Sequence, residues 1–122
     1  MRNIVRVAAY LTLSSIALSG SCFAHAHLEG AQPTIGETVK TAPTELDLKF
    51  SEEVDLKFTG VKVTGPDAKE VKTENAMLKD GNKTLMVTLP KGMDAGIYKV
   101  EWHALSRDGH KTHGDYKFTV KP

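Results

Sequence analysis

Sulfur is scarce in this chain. One cysteine, Cys22, stands among 122 residues, inside a leader-like N-terminal segment. The chain beyond it can form no disulfide and offers no thiolate to a metal. An excess of charge of one sign is missing too. Lys and Arg number 16 against 15 Asp and Glu, a formal charge of +1. Nucleic-acid binding therefore has no electrostatic basis. No apolar run beyond the leader is long enough to span a membrane. No stretch joins helical periodicity to caps, and there is no repeat, linker or low-complexity segment.

The first two dozen residues have an ordered plan. "MRNIVRV" carries Arg2 and Arg6, "AAYLTLSSIALSGS" is apolar and small, and "CFAHA" ends in small residues. That is the layout of a secretory signal peptide. Its apolar part is shorter than the roughly 20 residues a spanning helix needs. Residues 1–24 are thus expected to be removed, and residues 25–122 to form one domain. Cleavage after Ala24 would make His25 the first residue; cleavage after Ala26 would make it His27. Lipidation of Cys22 fits poorly, because Leu18 lies one place too far away and Ser19 occupies the aliphatic position. Loss of Arg2 and Arg6 takes the formal charge to −1.

Beyond the leader the chain is dominated by alternation. "ELDLKF" (45–50), "GVKVTG" (60–65), "TLMVTL" (84–89), "GIYKVEWHAL" (96–105) and "DYKFTV" (115–120) each place apolar residues at every second position. Period two with β-branched and aromatic residues predicts half-buried strands. Gly65-Pro66-Asp67, Asp80-Gly81-Asn82 and the Pro90–Gly96 stretch supply turns, and the second is a strong hairpin signal. The fold class is all-β, a single sandwich or Greek-key barrel. Trp102 alternates with Val100 and Tyr98 and is expected to anchor the core rather than to stack on a ligand.

Five histidines remain: 25, 27, 103, 110 and 113. His103 points opposite to Trp102 and is expected on the outer face; His113 and Asp115 read as loop and strand surface. Asp108 and His110 flank Gly109, and positions i and i+2 of an extended segment face one way. A carboxylate and an imidazole can then converge on one ion, although an ordinary turn explains the same residues. A terminal His25 would add an amine and an imidazole from one residue. His27 is a further ligand candidate, because a free amine with histidine two residues on is a local Cu(II) or Ni(II) motif. Nitrogen-rich tetragonal sets favour Cu(II), whereas zinc sites favour tetrahedral nitrogen and sulfur.

The chain resembles the CopC family of periplasmic copper-binding proteins, in particular its YobA-like branch. "HAHLEGAQP" (25–33), "LKFSEEV" (48–54), "GIYKVEWHALSRDGH" (96–110) and "GDYKFTV" (114–120) carry the resemblance, in order and across the whole domain. Pro33 lies eight residues after His25, as the family's opening requires, and that spacing favours the cut after Ala24. The resemblance implies an immunoglobulin-like Greek-key β-barrel. It implies a Cu(II) site from His25, Asp108 and His110, with Glu52 beside the ligands. His27 could join that site, compete with it or stand idle. Some members add a Cu(I) site in a methionine-rich loop. Here Met77, Met86 and Met93 are scattered, so none is expected.

The function expected on this basis is a monomeric periplasmic Cu(II) carrier for copper resistance and homeostasis, and not an enzyme. Its implied partner is a CopD-like inner-membrane copper transporter. Two other readings compete. A terminal histidine beside another histidine also occurs in copper monooxygenases acting on polysaccharides, but Asp108 would crowd the open position and aromatics are few. The third is a metal-free immunoglobulin-like interaction module.

Overall fold

Sustained alternation in this sequence becomes strand. The computed structural model describes residues 25–122; the leader assigned to residues 1–24, with its cleavage position, lies outside the described residues. The strands are β1 (Leu28–Gln32), β2 (Thr38–Val39), β3 (Glu45–Phe50), β4 (Gly60–Thr64), β5 (Glu70–Val71), β6 (Glu74–Lys79), β7 (Thr84–Thr88), β8 (Gly96–Leu105) and β9 (Lys111–Val120). Among the described residues the only helical piece is a 3₁₀ turn at Leu56–Phe58, whose start is capped by Asp55.

The strands form two sheets, in the orders β1-β3-β7-β6 and β2-β9-β8-β4-β5. Only the short β2–β9 pairing is parallel. β3 pairs with β7 in one sheet and β4 with β8 in the other. The chain therefore crosses between the sheets more than once, the path of an immunoglobulin-like Greek-key sandwich. The barrel form of the expectation is not realised. The sheets share no strand, and β2 and β5, two residues each, are too short to carry a closing ladder.

The inner faces hold the alternating residues. Leu46, Leu48 and Phe50 of β3 and Leu85 and Val87 of β7 face Tyr98, Val100, Trp102 and Ala104 of β8 and Tyr116, Phe118 and Val120 of β9. Tyr98 and Phe118 are stacked at 5.3 Å, and Phe50 meets Trp102 edge-on at 5.4 Å. Burial of each such side chain contributes roughly 1.5–3 kcal/mol. Trp102 anchors this core, as its alternation predicts. Its cross-strand partner is Gly114. A Cβ there would stand 2.7 Å from Trp102 Cζ2, so the indole occupies the space that glycine leaves.

The hairpin signal at Asp80-Gly81-Asn82 joins β6 to β7. All three residues take positive φ, which glycine, aspartate and asparagine tolerate best. β9 begins earlier than its alternation suggests. Leu105 pairs with Lys111, which leaves a tight tip at residues 106–110 and places His113 within the strand rather than in a loop. β1, β2, β5 and β6 have no counterpart in the alternation.

Candidate metal centre

The tip of the β8–β9 hairpin is set by one serine. Ser106 is buried, and its side chain donates to an Asp108 oxygen and to the backbone carbonyl of His110 at 3.1 Å. The Ser106 amide reaches the same carbonyl at 3.0 Å, and the Gly109 amide returns to Ser106 at 2.9 Å. Gly109 closes this turn at a φ of +86°, where a side chain would be strained. The turn holds Asp108 and His110 side by side. Asp108 Oδ2 lies 3.0 Å from His110 Nδ1, and Oδ1 accepts from the His110 amide at 3.3 Å. The Ser106 hydroxyl, and after it His110, hold the Asp108 carboxyl below the ordinary carboxylate range.

The N-terminal segment is brought to this tip by hydrogen bonds from far along the chain. Thr112 Oγ1 donates to the Ala26 carbonyl at 2.8 Å. Ser51 Oγ donates to the His25 carbonyl at 3.0 Å and accepts from the His27 amide at 2.9 Å. The Ser51 amide adds a bond to the His27 carbonyl at 2.8 Å. Between these anchors Ala26 is fully buried. The result is that the His25 ring lies against His110, centroids 4.6 Å apart and nearly perpendicular. His27 is next to His25, at 6.1 Å between centroids.

The structure thus brings together His25, His110 and Asp108, with His27 adjoining. Glu52 and Asp108 line one shallow depression of about 410 Å³ next to this cluster. Glu53, its neighbour, instead pairs with Arg107 at 3.4 Å. His103 and His113 are exposed on the outer face of the five-stranded sheet, and His113 lines one groove with His27. Among the described residues no three His, Asp or Glu side chains already stand as a closed ligand set. In the full-length chain the His25 nitrogen is a peptide nitrogen, so the amine of a terminal histidine is not yet there. A depression of about 600 Å³ between Gly65–Lys72 and Pro90–Tyr98 holds no histidine.

Sequence reasoning missed Ser51, Ser106 and Thr112. Ser51 and Ser106 sit inside two of the segments that carry the family resemblance, "LKFSEEV" and "GIYKVEWHALSRDGH", and that position was the available signal. Chemically, the donors are imidazole nitrogen and carboxylate oxygen, a set that suits Cu, Zn or Ni and not Ca or Mg.

Known proteins share this sequence pattern and this fold. The family model described as the CopC domain matches residues 28–121. Protein YobA of Escherichia coli K12 is 40% identical over 121 residues, 98% of this chain and 96% of that one. The copper transport protein CutJ of Bacillus subtilis is 32% identical over 111 residues, 90% of this chain but 20% of that protein. Among solved structures, PcoC, a methionine-rich copper resistance protein from Escherichia coli, superposes with a TM-score of 0.71 at 32% identity. The match covers 80% of this chain and all of PcoC. With its two-sheet fold and a family match across nearly the whole sandwich, the chain belongs to the CopC family.

Proposed function

We propose that the protein is a periplasmic Cu(II) carrier in copper resistance and homeostasis, and that copper is its cargo. The observation that supports this most is the His25 ring held 4.6 Å from the His110 ring. Ser51, Thr112 and buried Ala26 fix the backbone at His25 and just after it. Removal of residues 1–24 adds the His25 amine to that pair. The donor set becomes an amine, two imidazoles and a carboxylate, which favours tetragonal Cu(II) over tetrahedral zinc.

Asp108 has a specific part in this arrangement. Its carboxylate grips His110 Nδ1, which orients the ring and leaves ligation to Nε2. The resemblance makes Asp108 a ligand in its own right. Cu(II) EPR on Asp108→Asn separates the two roles. A changed coordination signature supports ligation, and a weakened but unchanged one supports orientation. Glu52 shares a depression with Asp108, and the resemblance gives it a place beside the ligands.

Handing copper to or from a CopD-like inner-membrane transporter fits the comparison with CutJ. A region like this one makes up a fifth of that copper transport protein. The reading is tested by Cu(II) EPR and competition titration on chain beginning at His25 and on chain with one added glycine before it. The extension is expected to alter the spectrum and weaken binding. An unchanged spectrum and affinity would overturn the terminal-amine site.

A further inference from the structure

The β8–β9 ladder carries a second group of metal-ligating side chains that the copper reading leaves unused. His103 pairs directly with His113, and two rungs along, on the same face, Glu101 pairs with Asp115. Both histidines are exposed on the outer face, turned away from the core that Trp102 and Gly114 share. Directly opposed residues on an antiparallel pair hold their Cβ atoms roughly 4.5–5.5 Å apart. At that spacing two imidazoles can reach one ion at about 2.0–2.1 Å each.

The surroundings point the same way. Two carboxylates placed opposite each other repel, which a sheet ordinarily avoids. Lys99 at 3.3 Å relieves Glu101, and Lys62 pairs with Glu101 in the register. Asp115 faces only Glu101 across its rung among the described strands. On the far side of His103 stands Gly60. A Cβ there would lie 3.1 Å from His103 Cε1, so the ring rests over the bare backbone of Gly60.

We propose that His103 and His113 form a second site for a borderline divalent cation such as Zn(II), completed by a carboxylate of Glu101 or Asp115 and by water. Imidazole with carboxylate is the donor set of zinc, copper and nickel, and hard cations prefer oxygen alone. His103 must leave its rest over Gly60 to join His113, so the site is weaker than one assembled beforehand. His113 lies three residues beyond His110, the last residue of the hairpin tip, about 10 Å at strand rise. The inference stands independently of the copper reading, because it uses none of the residues at the hairpin tip.

The test is Zn(II) titration of the exported chain carrying His110→Ala, followed by calorimetry and by the histidine ring signals in NMR. The proposal expects the His103 and His113 signals to move together. It also expects His103→Ala and His113→Ala each to weaken Zn(II) binding at least tenfold, with the double variant no worse than either single one. Far-UV circular dichroism confirms that these exposed substitutions leave the fold intact. Zn(II) affinity unchanged by His103→Ala in that background would overturn the proposal. So would ring signals that move only at His25 and His27. Failure of the terminal-amine test leaves this outcome unaffected, so the two readings fail separately.

Discussion

Replacing Ser51 by alanine should weaken copper binding without unfolding the domain. The hydroxyl makes two bonds, to the His25 carbonyl at 3.0 Å and from the His27 amide at 2.9 Å. Each hydrogen bond of this kind contributes roughly 0.5–1.5 kcal/mol net. The backbone bond from Ser51 to His27, the Thr112 bond to Ala26 and the burial of Ala26 all survive the change. Residues from Ala26 onward therefore stay docked, and the loss falls on His25. Since His27 stays docked, only the part-buried bond to the His25 carbonyl bears on His25, about 0.5–1.5 kcal/mol. At 1.4 kcal/mol per factor of ten, copper affinity should fall roughly two- to twelve-fold. Competition titration against a chelator of known affinity reads this directly. Urea unfolding of the copper-free protein should shift by less than the binding energy does. Affinity within a factor of about two of the parent, with β1 and β3 still paired, would show that Ser51 does not aim His25.

Gly114→Ala drives a methyl to 2.7 Å from Trp102 Cζ2, and Phe50 blocks the indole's retreat. It should cost about 1–3 kcal/mol in urea unfolding, typical of overpacking, and a stability at or above the parent's would refute the packing described. Copper should leave as pH falls, because amine and imidazole ligands must be deprotonated to bind. Asp108, held below the ordinary carboxylate range, stays ionised through that release. A copper titration repeated at falling pH checks the direction. Asp108 itself follows the linkage of a depressed carboxyl. Its contribution to stability is present above the unfolded value and lost as pH falls through the lowered folded value. Ser106→Ala removes the main cause of the depression, so the Asp108 midpoint should rise towards the ordinary carboxylate value in NMR titration.

The strands that alternation made legible are those with one face buried. Leu46, Leu48 and Phe50 on β3, and Tyr98, Val100 and Trp102 on β8, are buried while their neighbours are not. β6 could not be read this way. "ENAMLK" is exposed at nearly every position, so no buried face marks it. β1, "LEGAQ", carries a bulge between Leu28 and Gly30 that breaks the period. β2 and β5 are too short to show one. At the site, His25, Asp108 and His110 stand out by donor chemistry. Ser51 and Thr112 do not, because serine and threonine are common in any turn. Their role arises only from partners 24 to 86 residues away in sequence. The loop reading of His113 fails because the polar run Lys111–Asp115 hides a strand that only its pairing with β8 defines.

One indole serves the whole chain, and its position makes it an instrument. Trp102 lines a groove of about 560 Å³ together with His27, and it packs on Phe50, the residue next to Ser51. A paramagnetic Cu(II) ion at the N-terminal histidines sits on the same side of the sheet as this fluorophore and should quench it. His113 and Asp115 line the same groove, so an ion bound there lies near the indole as well. Diamagnetic Zn(II) has no unpaired electron with which to quench. The native emission, with no label and no substitution, should therefore report copper near this groove and stay blind to zinc. That would give the proposed copper loading an optical readout built into the domain.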